Sequence, residues 1–249
     1  MLRRVLYVLM IGIFFSSCKK DIVYKFDYST MGIDAVAACA VEPCPEVDIS
    51  LVKVQQPQSI SKNVHGLFEE TVIQILEEEG QDSSTIPQAV ANYVNNIQTG
   101  YPEGDVLSGL NEVMITTEIA VASNTLLCII LEYYKYSGGA HGYGEIQYYN
   151  FNPQTGEVYP KAAYFKDESG FLNLAKAHFY TMFDITEGTS LSSRGFFFSE
   201  DIFHLPKQIG FTDTEVVLLY NPYEITSYAD GPVELRIPIN EALEFLNFF

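Results

Sequence analysis

The sequence predicts an α+β protein: an antiparallel β-meander sheet with helices packed on it, in two sub-domains forming one compact unit. Three observations predict it. Two stretches of helical period come first, a run of consecutive strand-like segments joined by short turns follows, and a third helical stretch comes after that run. Helices segregated from sequential strands indicate α+β rather than alternating βαβ units. The 249 residues are 47% hydrophobic, enough to fill a sizeable core, and fit one large domain or two small packed ones.

The chain opens with Arg3 and Arg4, an apolar run from Val5 to Phe15, and Ser16-Ser17-Cys18. A helix over that run reaches about half of a ~30 Å hydrocarbon core, too short for a spanning anchor and right for the h-region of a signal peptide. Small residues before a cysteine fit a lipoprotein cleavage site. Residues 1–17 are therefore expected to be the signal peptide and Cys18 the lipidated first residue of the mature chain. The expected location is the envelope of a Gram-negative bacterium, lipid-anchored at the outer membrane, with the leaflet undecided.

Residues 18–45 show no sustained periodicity and read as a tether. Within it Cys39 and Cys44 lie beside Pro43 and Pro45. In an oxidising envelope they could close a small disulfide loop; two unpaired thiols are the alternative. A first strand is expected near Asp48 to Val54, opening an N-terminal sub-domain over 46–150.

Val64, Leu67, Phe68, Val72, Ile75 and Leu76 then recur at helical spacing, with Glu69, Glu70, Gln74, Glu77 and Glu78 on the other face and Gly80 placed to stop the helix. A second helix follows Pro87, with Val90, Tyr93, Val94 and Ile97 on one stripe, and ends at Gly100 and Pro102.

Val113, Ile115, Ile119 and Val121 alternate with Glu112, Thr116 and Glu118, the pattern of a half-buried strand. Ser123-Asn124 turns the chain into a more uniformly apolar strand that runs to Tyr136. A third strand spans Gly144 to Phe151 and ends at the turn Pro153-Gln154-Thr155-Gly156. A C-terminal α+β sub-domain over 151–249 supplies a helix striped by Phe171, Leu174, Ala175, His178, Phe179 and Met182. It adds strands near Glu215–Tyr220 and Val233–Ile239 and a short helix from Asn240.

Charge narrows the function. Asp and Glu number 32 against 14 Lys and Arg, a formal charge of −18, which becomes −20 once a cleaved leader removes Arg3 and Arg4. Nucleic acid is excluded as a partner, because binding it draws on a basic surface, and a polybasic membrane patch is disfavoured for the same reason. A basic protein is compatible. No cofactor and no metal site is expected, since no two histidines stand at metal-ligand spacing and Cys128 lies in an apolar run.

The segment Tyr136-Ser137-Gly138-Gly139-Ala140-His141-Gly142-Tyr143-Gly144 is the most unusual stretch. It does not form a phosphate cradle, because no GK[ST] follows and the context is strand-turn-strand. Nor is it a nucleophile elbow, which needs G-x-S-x-G on a strand-to-helix turn. A wide strand connection bent by its glycines and a partner-facing loop are the two readings left. The tyrosine pairs Tyr133-Tyr134 and Tyr148-Tyr149 lie on strands, so each puts one ring on either face of the sheet.

The string YSGGAHG from Tyr136 to Gly142, followed by Tyr149-Asn150-Phe151 and Thr155-Gly156, forms one block. Phe211-Thr212-Asp213, then Tyr220-Asn221-Pro222-Tyr223-Glu224-Ile225, Tyr228-Ala229 and Gly231, form a second in the same order. Together they resemble the extracytoplasmic domain of the RsiV-type anti-sigma factors, a domain also found beside peptidoglycan deacetylase domains. The resemblance covers about residues 46 to 249, with departures at Asn152, Ala163 and Glu215. It implies an α+β extracytoplasmic domain that in the anti-sigma members binds lysozyme. The cytoplasmic segment and spanning helix of those members are replaced here by the lipobox, and the deacetylase catalytic domain has no counterpart, so the module is expected without either output.

The expectation is a non-enzymatic, lipid-anchored envelope module recognising lysozyme, another basic protein or a cell-wall-related ligand. Its partner-facing residues are Ser137, Gly138, Gly139, His141, Gly142 and Tyr143 in the loop and Tyr223, Glu224 and Tyr228 in the turn. The alternatives are an envelope hydrolase or deacetylase-like enzyme using His141 with a carboxylate, and a structural accessory subunit of an envelope complex.

Overall fold

The apolar run through Leu131 leaves too few polar positions for a strand with one wet face, and both faces of that strand are in fact covered. In the computed structural model, which describes residues 21–33, 44–78, 80–100 and 111–249, the order of elements is β1 (Lys25–Gly32), β2 (Glu46–Gln56), α1 (Gln58–Leu76), α2 (Ile86–Gly100), β3 (Glu112–Ala122), β4 (Leu127–Tyr136), β5 (Tyr143–Phe151), α3 (Glu168–Met182), β6 (Gln208–Phe211), β7 (Glu215–Tyr220), β8 (Val233–Pro238) and α4 (Ile239–Ala242). The expected leader at 1–17, the lipidation site Cys18 and Cys39 lie outside the described residues. Cys44 is disulfide-bonded, and Cys128 is a buried free thiol whose pKa burial pushes up to about 12.

The fold is α+β, with a five-stranded sheet in the order β1-β2-β3-β4-β5 and a three-stranded sheet β6-β7-β8. The β3-β4-β5 meander is antiparallel, as the short turns require. β2 and β3 run parallel, because α1 and α2 form the crossover between them. The segment expected to be a tether contains β1, which pairs antiparallel with β2 from Lys25↔Gln56 to Gly32↔Asp48. That strand is mostly exposed. It is held chiefly by β2's backbone, so its side chains carry little periodic signal.

Two cores share the five-stranded sheet. One face of β2, β3 and β4, through Ile49, Ile115, Ile129 and Leu131, packs under the α1 stripe Ile60, Val64, Phe68, Val72 and Leu76 and the α2 residues Val90 and Tyr93. The other face presents Val121, Leu126 and Cys128 to a core built from α3, the second sheet and Phe196, Phe198 and Phe203. The Tyr148-Tyr149 pair divides accordingly: Tyr149 joins the first core and Tyr148 the second.

α3 starts at Asp167, whose carboxylate accepts from Gly170 N–H at 2.9 Å. It buries Phe171, Ala175 and Phe179, while Met182, expected on the same stripe, is exposed in the last turn. His178 instead meets Glu241 of α4 through Nε2 at 3.0 Å. Among the described residues no helix is long and apolar enough to cross a membrane.

Candidate functional site

The β4–β5 connection runs from Ser137 to Gly142. Gly138 and Gly139 both take positive φ, 90° and 95°, a conformation costly for residues bearing a Cβ. The Tyr136 hydroxyl donates to Gly139 O at 2.9 Å and holds the loop against the end of its own strand. Gly142 is required for a different reason: a Cβ there would strike the Tyr134 ring. The glycines thus let a wide connection bend and pack, and leave His141 exposed at its end.

The second block arrives from β7. Asn221 is buried, and its side chain imitates a neighbouring strand: Oδ1 accepts from Ile146 N–H at 3.0 Å and Nδ2 donates to Ile146 O at 2.9 Å. These bonds close part of the outer edge of β5 and set the turn that follows beside the glycine loop. Pro222 then leads into Tyr223, which sits at φ 69° and is 58% exposed. A left-handed tyrosine is uncommon, and such positions cost about 1–3 kcal/mol unless the surroundings hold them.

The two blocks meet in a row of rings. His141 stacks on Tyr228 with centroids 3.9 Å apart, and Tyr228 lies 5.8 Å from Tyr223. Tyr223 is 6.4 Å from Tyr143, which is 6.5 Å from Tyr133. His141 Nδ1 lies 2.8 Å from Gly142 O, which fixes the ring and leaves Nε2 as the acceptor of the neutral form.

Not every expected residue joins the row. Glu224 is turned inward: Oε1 accepts from Lys207 N–H at 2.8 Å and Oε2 from Asn221 N–H at 3.3 Å. It shapes the turn and does not line the groove beside the rings. Gly138, Gly139 and Gly142 contribute backbone shape.

That groove has a volume of about 540 Å³ and lies between α1 and one face of β4–β5. Tyr133, Tyr143, Tyr149, His141 and Ser137 line it, with Lys135, Gln147, Thr71, Gln74 and Ile75. A rail of hydrogen bonds along β5 fixes its wall. The Tyr143 hydroxyl donates to Glu145 Oε1 at 2.6 Å, Gln147 Nε2 donates to Glu145 Oε2 at 3.1 Å, and the Tyr149 hydroxyl donates to Gln147 Oε1 at 2.7 Å.

Burial raises the pKa of Tyr133, to about 12, and of Tyr143 and Tyr149, with Glu145 adding to each. All three therefore remain hydroxyl donors at neutral pH. Lys135 donates to Ile75 O at 3.2 Å and Leu76 O at 3.5 Å, capping the C-terminus of α1, and its pKa is lowered by burial against the opposing pull of Glu78. No hydrogen bond joins His141 to a carboxylate among the described residues, and no group of three or more His, Cys, Asp or Glu there could hold a metal ion.

The second block lies within a recognisable family segment. Residues 165–240 match the DUF3298 family, described as protein of unknown function. The matched segment contains Tyr223, Glu224 and Tyr228 but not the Ser137–Tyr143 loop, so the aromatic row reaches across its boundary. The whole fold is shared more widely. A DUF3298-family crystal structure from Bacteroides fragilis is similar at a TM-score of 0.66 with 18% identity, over 92% of this chain and 96% of that one. A second, from Pseudomonas aeruginosa, is similar at 0.62 with 17% identity, over 91% and 94%. No curated protein matches the sequence.

Asn221, Gln147 and the groove-facing Tyr133 and Tyr149 carry much of this architecture and were not legible as site residues. Asn221-Pro222 reads as an ordinary turn. The tyrosine pairs announce one ring per face, but not which face borders a groove.

Proposed function

We propose that the chain is a lipid-anchored binding module of a Gram-negative cell envelope, tethered through Cys18 at the outer membrane, whose loop-and-turn face recognises a basic protein such as lysozyme. One observation carries the reading: two sequence blocks about eighty residues apart converge on a single stacked row, His141, Tyr228, Tyr223 and Tyr143, with Tyr223 held outward in a left-handed conformation. Rigid, amphipathic rings provide contact area at low entropic cost, which suits recognition of a protein surface. The charge of −18 favours a cationic partner and would speed its approach. A cell-wall-related ligand is the second reading, supported by the groove beside the row.

The hydrolase alternative needs His141 paired with a carboxylate in a cleft. The groove that His141 borders has no carboxylate in its lining, and its ring is engaged by Tyr228 and Gly142. The binding reading is tested by isothermal calorimetry of the purified protein with lysozyme at about 20 mM salt, where screening is weak. Micromolar or tighter binding that is lost in Tyr228→Ala is expected; absence of heat with the folded parent sinks the lysozyme version.

A further inference from the structure

The groove between α1 and the β4–β5 face has a chemistry different from the rest of the molecule. In a chain with 32 acidic residues, its lining contains none. Its one lysine does not serve as a free counter-ion, because Lys135 is held by the Ile75 and Leu76 carbonyls and lies over the Tyr93 ring at 5.2 Å. A cationic ligand would find only carboxylates already engaged behind the lining, Glu145 by Tyr143 and Gln147 and Glu70 by Gln74 at 3.3 Å, and an anionic one would have to draw the Lys135 ammonium off a helix end. Apart from His141 and Ser137 of the loop, what remains is neutral: the faces of Tyr133, Tyr143 and Tyr149, the apolar Ile75, and the amides and hydroxyls of Gln74, Gln147 and Thr71.

These groups are also fixed before any ligand arrives. The Tyr143–Glu145–Gln147–Tyr149 rail satisfies Glu145 on both oxygens and sets the plane of the Gln147 amide. The Tyr149 oxygen also meets Thr71 Oγ1 at 3.4 Å, which leaves the Tyr143 oxygen lone pair and the second N–H of Gln147 for a ligand, and preorganisation of this kind lowers the entropic cost of binding. Flat apolar faces beside fixed neutral donors and acceptors complement a molecule with C–H faces and hydroxyl edges, and about 540 Å³ is ample for more than one ring of it.

We propose that this groove binds an uncharged oligosaccharide of pyranose units, with Tyr133 as a stacking face and Gln74 and Gln147 as hydrogen-bonding groups. The inference rests on reading this side of the molecule as a recognition surface, and it names the ligand class for the groove alone.

Saturation-transfer NMR of the full chain with chitotriose and with cellotriose tests it. Transfer to at least one sugar is expected, with a Kd on the order of 1 mM or tighter. Tyr133→Ala should weaken it about tenfold. Tyr133 is half-buried, so the exposed Gln74→Ala, which leaves the core untouched, provides a second variant and should weaken binding severalfold. No transfer from the folded parent to either sugar, or unchanged affinity in both variants, overturns the proposal. A parallel lysozyme titration separates the two readings: lysozyme binding without sugar binding removes the groove proposal alone, and sugar binding without lysozyme binding removes the protein-partner reading alone.

Discussion

His65 accepts a hydrogen bond from Val54 N–H through Nε2 at 2.7 Å, so a neutral imidazole ties α1 to β2. Burial lowers its pKa from 6.5, and nearby Lys53 adds to the effect. The unfolded chain therefore binds the proton more readily than the folded one. Stability rises with pH across the window from the lowered folded value up to 6.5 and is lost as the pH falls through it. His65→Gln keeps an acceptor without a titration, so its melting temperature should fall less than the parent's between about pH 7 and about pH 5. Equal falls in the two proteins would assign the acid sensitivity to carboxylates elsewhere. Tyr223 supports a second prediction at this scale. Glycine takes φ 69° without a Cβ penalty, so Tyr223→Gly should hold stability within about 1 kcal/mol of the parent, the relief being offset by greater freedom in the unfolded chain. Lysozyme affinity should nevertheless drop at least tenfold if the ring is an anchor. A stable variant with full affinity would remove Tyr223 from the recognition surface.

The outer edge of β5 is the element on which the site depends. An unpaired strand edge exposes N–H and C=O groups that invite other chains. Here Asn221 closes the edge at Ile146, and Gln208 accepts from Tyr148 N–H through Oε1 at 2.9 Å. Asn150 continues the seam by donating to Ile209 O at 2.7 Å. Asn221→Ala would leave the Ile146 N–H and C=O without these partners, at a cost of about 2 kcal/mol or more. Hydrogen exchange at Ile146 should accelerate, and the Tyr223–Tyr228 turn should lose its fixed place beside the glycine loop. Unchanged exchange at Ile146 would show that the strand edge is closed by other means. At the scale of elements the sequence was most legible where periodicity is strong, as in the α1 stripe, the α2 stripe and the β3-β4-β5 meander. β1 escaped notice because backbone pairing holds it, and β6, four residues long, is too short to show a period.

For the molecule as a whole, two cores back onto one sheet, and the candidate site lies where segments from both meet. The chain carries a formal charge of −18, so a basic partner should be drawn in by a field that salt weakens. Raising salt from about 20 mM to about 150 mM shortens the reach of that field to about 8 Å. The association rate with lysozyme should fall more than the dissociation rate rises, as read by stopped-flow kinetics. A rate indifferent to salt would leave the acidity as a solubility property only. The fold class, the meander, the three main helices and the two blocks of unusual residues were all determined by the sequence itself, because hydrophobic period and turn chemistry are local and survive in a linear string. Only the tertiary structure decided that β2 and β3 run parallel, that Glu224 turns inward while Tyr223 turns out, and that a groove without carboxylates opens in a chain of charge −18. These depend on which distant segments come to share a sheet edge, and no local pattern along the chain encodes that proximity.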